Sequence, residues 1–248
     1  MKKNVEIVSL IFKSTEYLRF IVEQLNGERC KAEGWDVGVR IVANDATPKV
    51  IEELKKLPIK YSIYKNYWQN EYYLNRVYRA YNYAVCTSEY DNICLVNSDD
   101  GFSKSWLKNL LKHHDGINIP CSRLIESGKM NSGQHGVNLG DNHFGRTAKE
   151  FDLNGFDKWV ENNSEDKVLP GGLYMPCVFE KKRFIESGMY PCGNIYDNGI
   201  GTFHFNGKVK MAGDDFYFHR VLEKVYGMKH ITVFDSPVYH IIEGEKDE

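Results

Sequence analysis

The sequence predicts an α/β protein whose central, mostly parallel sheet is flanked by helices. Three observations carry this expectation. Short apolar runs alternate with stretches of helical period, and two of the runs end in turns rich in Asn and Asp. The 248 residues, 42% hydrophobic and 27% charged, suit one folded domain with a sizeable core.

Val5–Phe12 is a compact apolar run suited to a buried strand, interrupted by Glu6. Ser14 stands as an N-cap before Tyr17, Leu18, Ile21, Val22 and Leu25, which recur at helical spacing until Gly27. Val37–Ala43 is a second strand and ends in Asn44-Asp45-Ala46-Thr47-Pro48. Pro48 suits a first helical position, and Val50, Ile51 and Leu54 form the apolar stripe of a short helix. Ile59–Tyr64 is a third strand, and Asn70–Cys86 a longer helix with Leu74, Val77, Tyr81 and Ala84 on one face. Ile93–Val96, short and wholly apolar, is a fourth and central strand that runs into Asn97-Ser98-Asp99-Asp100-Gly101. A helix follows from about Ser103 to His113.

The second half is less regular. Glu126–Val168 is rich in Gly, Asn, Ser and Asp and of weak periodicity, so it is expected to be a long loop-rich excursion. It still carries Phe144, Phe151, Phe156 and Trp159, and it is expected to fold partly over the cleft and select the acceptor. Regular structure is expected again from Gly171 to Phe179, in a short helix over Glu180–Ser187, in a helix from near Asp214 and in a strand over Ile231–Phe234.

Composition excludes several classes. Lys and Arg number 32 against 34 Asp and Glu, so no basic field points to a nucleic-acid partner. The N-terminal run is too short and too charged for a signal peptide, and no stretch approaches a membrane span; a cytoplasmic protein, at most peripheral at a membrane, is expected. The six cysteines include no C-x-x-C pair, which speaks against zinc and for packed thiols.

Ligands of open α/β sheets sit outside the carboxyl ends of the strands. Asp45, the Asp99-Asp100 pair and Asp214-Asp215 fall at that edge. Like charges held together call for a shared cation, and hard oxygen donors suit Mg²⁺ or Mn²⁺ on a diphosphate. A polar Asp-Gly turn is the plainer alternative for Asp99-Asp100-Gly101.

The order of segments is similar to that of family 2 glycosyltransferases, which have the GT-A fold. The matching residues are Val8-Ser9-Leu10, Asn44-Asp45-Ala46-Thr47, Tyr81-Asn82-Tyr83-Ala84, Leu95-Val96-Asn97-Ser98-Asp99-Asp100, and Gly213-Asp214-Asp215-Phe216 with Arg220. Only about Glu126–Val168 lies outside the resemblance. Two positions depart from the family pattern: Asn97 replaces the first acid of the D-x-D motif, and Asp214 replaces the Glu of the later acidic pair.

The resemblance implies a single GT-A type domain, with residues 1–120 binding the nucleotide sugar and 121–248 the acceptor. It implies a metal-dependent, inverting transfer from a nucleotide-diphosphate sugar, a UDP-sugar foremost, to a glycan or other hydroxyl-bearing acceptor. Asp99 would ligate the cation, with His240 after the last strand as a further ligand. Asp45 would bind base or ribose unless it N-caps the helix at Pro48; Asn82, Asn97, Asp100 and Arg220 would support the donor. Asp215 would be the general base, positioned by Asp214. Tyr67 or Trp68 would stand near the nucleotide. A nucleotidyltransferase should show a Gly-rich loop after the first strand, where Phe12-Lys13-Ser14-Thr15-Glu16 stands instead. A non-catalytic sugar- or nucleotide-binding module on the same fold is the other alternative, made thinkable by Asn97.

Overall fold

The computed structural model describes residues 3–67, 73–126, 132–140, 143–191, 194–195, 202–205, 208–211, 217–241 and 243. Its first half follows the expected alternation: β1 (Lys3–Ile11), α1 (Thr15–Gln24), β2 (Trp35–Asn44), α2 (Pro48–Leu54), β3 (Lys60–Tyr64), α3 (Tyr73–Cys86) and β4 (Asn92–Val96). The remainder comprises β5 (Asp100–Phe102), α4 (Trp106–Lys112), β6 (Asn118–Glu126), β7 (Gly136–Asn138), α5 (Leu153–Asn163), β8 (Val168–Pro170), β9 (Cys177–Glu180) and α6 (Lys181–Glu186). A small sheet of β10 (Asn194–Ile195), β11 (Thr202–Phe205) and β12 (Lys208–Met211) precedes a wide helical turn, Tyr217–Leu222, and the last strand, β13 (Lys229–His240).

Ten strands form the main sheet, in the order β3-β2-β1-β4-β9-β6-β13-β5, with β7 beside β6 and β8 beside β13. β3, β2, β1 and β4 are parallel, and so are β6 and β13; β9, β5 and β8 run antiparallel to their neighbours. The apolar run of β1 serves two cores at once. Val5, Ile7 and Ile11 pack with Leu18, Ile21 and Trp106 on one face, while Val8 packs with Tyr78, Tyr81 and Phe179 on the other. Glu6 is fully buried, and Arg40 from β2 neutralises it at 2.9 Å while also holding Thr87 and the Ala84 carbonyl.

Three expectations need correction. The excursion is not loop-rich throughout: Asp152 caps α5 by accepting from Gly155 N–H at 2.9 Å, and Phe156 and Val160 bury its inner face. Its aromatics pack into the core. Phe144, Phe151 and Phe156 gather on Tyr239 of β13 with ring centroids 5.4, 5.5 and 5.9 Å away. The strand β6 was not expected at all, because Pro120, Ser122 and Arg123 interrupt its apolar pattern. The last strand runs well beyond Phe234, across Pro237 to His240.

The extension of β13 contains a register offset. Val233 pairs with Ser122 and the next pair is Pro237 with Arg123, so Phe234, Asp235 and Ser236 have no partners in β6. Ser236 Oγ donates to Trp106 O at 2.7 Å, and Asp235 O accepts from Asn109 Nδ2. The offset carries His240 opposite Glu126 on one side, while antiparallel pairing with β5 sets it opposite Asp100 on the other.

Candidate active site

Parallel β2, β1 and β4 point their carboxyl ends at one pocket of ≈ 520 Å³, lined by Leu10, Lys13, Asp45, Arg76, Tyr81 and Asp99 among others. That volume is typical of a small-ligand site. Asp45 follows β2 and Asp99 follows β4, with β1 between them, so the two carboxylates stand on strands separated by roughly 10 Å, two strand spacings.

At the β2 end, Thr47 caps α2 by accepting from Val50 N–H, which leaves Asp45 without that task. Asp45 adopts a left-handed φ of 50° and turns its carboxylate to Asn66, accepting from the backbone N–H at 2.8 Å and from Nδ2 at 2.9 Å. Arg76 Nη1 lies 3.9 Å from Asp45 Oδ2, and the guanidinium sits over Phe12 at 5.9 Å. Tyr73, Val77 and Tyr81 recur every four residues along α3 and face the pocket together with Arg76. Tyr81 O–H donates to Val96 O at 2.9 Å.

At the β4 end, Asn97, Ser98 and Asp99 line the pocket, but Asp100 does not. Asp100 is fully buried, and its Oδ2 accepts from Asn97 N–H at 3.0 Å, closing the turn. Burial, and then the charge of Asp99, push its carboxyl well above the ordinary range. Asp100, expected to support the donor, thus faces the turn and not the pocket. β13, the antiparallel neighbour of β5, brings His240, whose Nε2 lies 3.6 Å from Asp99 Oδ2 and whose Nδ1 lies 3.3 Å from Glu126 Oε1. Burial alone would pull this imidazole down, but its contacts with Asp99 and Glu126 and the charge of Asp100 outweigh it and carry the group up to about 11.

Among the described residues no three His, Cys, Asp or Glu side chains are grouped so as to hold an ion unaided. Asp99 and His240 nevertheless stand at adjacent positions beside an open pocket, an oxygen and, once a cation displaces its Nε2 proton, a nitrogen. Mg²⁺ is commonly held by one or two carboxylates, with phosphate oxygens and water completing its shell, so the Asp99 carboxylate beside the open pocket fits a divalent cation, with His240 at its side.

Other expected residues lie elsewhere. Asn82 is occupied by Tyr190, donating to its carbonyl at 2.8 Å and accepting from its N–H at 3.1 Å; it braces α3 rather than facing the pocket. Tyr67 is almost fully exposed and does not line the pocket, where Tyr73 and Tyr81 stand instead. Asp214, Asp215, Trp68 and the side chain of Arg220 lie outside the described residues. Arg76, Lys13, Asn66 and Glu126 were missed; the four-residue spacing back from Tyr81 is the signal that would have pointed to the Arg76 face.

No family model and no curated protein sequence matches the chain. Solved structures do. The mannosyltransferase PcManGT from Pyrobaculum calidifontis, in complex with GDP-Man and Mn²⁺, superposes with a TM-score of 0.60 at 10% identity, over 99% of this chain and 59% of that one. S. aureus TarS 1–349 gives 0.54 at 12% identity, over 96% of this chain and 60% of that one. Its complex with UDP-GlcNAc gives 0.55 at 12%, over 98% and 60%. The chain thus spans about three-fifths of the length of these proteins. The likeness is one of fold, and it bears out the GT-A type α/β architecture expected from the sequence. Among the described residues no helix is long and apolar enough to cross a membrane.

Proposed function

We propose that the chain is a glycosyltransferase that takes a sugar from a nucleotide-diphosphate donor to an acceptor hydroxyl. The observation that carries this reading is the pocket at the ends of β2, β1 and β4, with the Asp45 carboxylate at one side and the Asp99–His240 pair at the other. The fold it shares with proteins solved with GDP-Man and UDP-GlcNAc supports the same reading.

In this reading Asp45, already oriented by Asn66, accepts a hydrogen bond from the base or ribose. Arg76 and Lys13 line the same pocket and supply positive charge toward the phosphates. Asp99 and His240 would hold Mn²⁺ or Mg²⁺, which neutralises charge on the departing diphosphate. Asp215 takes the proton from the attacking hydroxyl, and single displacement inverts the anomeric carbon. Asp214 positions Asp215, and Arg220 supports the diphosphate. Residues 121–248 form the acceptor side, where a glycan is the acceptor class proposed.

The test is calorimetric titration of UDP-sugars and GDP-sugars with and without Mn²⁺, followed by turnover on a panel of acceptors. Tight metal-dependent binding that Asp99→Ala abolishes is expected. Asp215→Asn should keep donor binding and lower transfer by about 10²–10⁴-fold. Binding without turnover on any acceptor would favour a non-catalytic module.

A further inference from the structure

Glu126 is a buried carboxylate that donor binding alone does not explain. It ends β6, is 3% exposed and does not line the pocket. Burying a carboxylate costs several kcal/mol unless both oxygens find partners. Here both do: Oε2 accepts from Ser132 Oγ, and Oε1 faces His240 Nδ1 at 3.3 Å.

The backbone enforces this arrangement. Glu126 and His240 are direct partners across β6 and β13, and Ile241 N–H donates to Asp99 O at 3.0 Å, so the strand end is fixed on both sides. Leu139 N–H donates to Glu126 O at 2.8 Å, while Gly136 pairs with Leu124 with no room for a Cβ beside Ser132, so β7 holds Ser132 over the carboxylate. An imidazole whose Nδ1–H is taken by a carboxylate presents the lone pair of Nε2 to a metal ion once that nitrogen has lost its proton.

We propose that Glu126 is a positioning residue: it fixes the tautomer and ring angle of His240 so that Nε2 is presented beside Asp99 to a divalent cation. The proposal rests on the metal-dependent reading of the site and adds to it a carboxylate–imidazole relay braced by Ser132.

The experiment measures Mn²⁺ binding by electron paramagnetic resonance, with UDP or GDP present, in wild type, Glu126→Ala and Glu126→Gln. Ala is expected to weaken Mn²⁺ binding about 10–100-fold, the usual worth of an outer-shell partner. Gln, whose amide oxygen still accepts from Nδ1–H, should recover most of that loss; a role confined to fold stability would not produce such a rescue. Nitrogen-15 correlation spectra of the wild type with Mg²⁺ and UDP give an independent readout, with Nδ1 protonated and Nε2 perturbed. Unchanged Mn²⁺ affinity in Glu126→Ala, or a spectrum in which Nδ1 is the metal-facing nitrogen, overturns the proposal. Wild type that binds nucleotide but no cation would instead remove the metal-dependent reading on which it rests.

Discussion

Phe151 closes over Gly101 so tightly that a Cβ on that glycine would stand 2.4 Å from the ring Cζ. Gly101 is one residue beyond Asp100, and the same ring stacks on Tyr239 at an interplanar angle of 15°. The excursion thus sets the height of the acidic turn. Gly101→Ala should cost about 1–3 kcal/mol in urea unfolding, the usual scale of overpacking. It should also weaken nucleotide binding, and adding Phe151→Leu should recover part of both losses.

Two neighbouring side chains of the β2 turn divide the work and can be separated. Thr47→Ala removes the α2 cap and should lower stability by about 1 kcal/mol with nucleotide affinity unchanged. Asp45→Ala should do the reverse, weakening nucleotide binding while leaving α2 capped. Calorimetry and thermal melts on both variants decide; equal nucleotide affinity in wild type and Asp45→Ala would remove Asp45 from the site.

The buried Glu6–Arg40 pair is a stability element. Arg40→Met leaves the Glu6 carboxylate buried, with Lys60 near it at 3.6 Å. A loss of about 3–5 kcal/mol is expected, as for other half-removed buried pairs. The double variant Glu6→Leu/Arg40→Met should regain much of it, measured by denaturant unfolding.

His114 gives the fold a pH dependence of its own. Burial is the main cause that holds this imidazole below its ordinary value of 6.5, and Nε2 lies 2.7 Å from Asn92 Oδ1. The unfolded chain therefore binds the proton more readily than the folded one. The contribution of His114 is fully present above about pH 6.5 and is lost as pH falls toward its folded value. Unfolding midpoints at pH 7.5 and 5.5 should converge in His114→Asn relative to wild type; an unaltered difference would show that His114 is not the group responsible.

The first half of the chain was legible because each of its elements is specified locally. Ser14 and Thr47 cap, Pro48 opens a helix, and β1 and β4 are apolar on both faces. The missed elements depend on distant partners. Pro120 and Ser122 read as breakers until β13 and the Pro176 carbonyl supply their pairing. The site divided along the same line. Asp45 and Asp99 stand at strand ends that patterning reveals, whereas the facing of Glu126 and His240, 114 positions apart, is a matter of sheet register. The inward turn of Asp100 and the engagement of Asn82 by Tyr190 were likewise invisible, because residue type states what a side chain can bond and not which way it faces.

The three residues of β13 without partners in β6 act as a gauge block. Asp235 and Ser236 are tied to α4 through Asn109 and the Trp106 carbonyl, and Lys112 adds an ion pair to Asp235 at 3.2 Å. Were the strand to run on without the offset, Pro237 rather than His240 would stand opposite Glu126. The helix therefore decides which residue arrives at the site, although none of its side chains lines the pocket. Substitutions on the inner face of α4 would be felt at a distance as a change in strand register, with the His240 imidazole exchanged for the Pro237 ring.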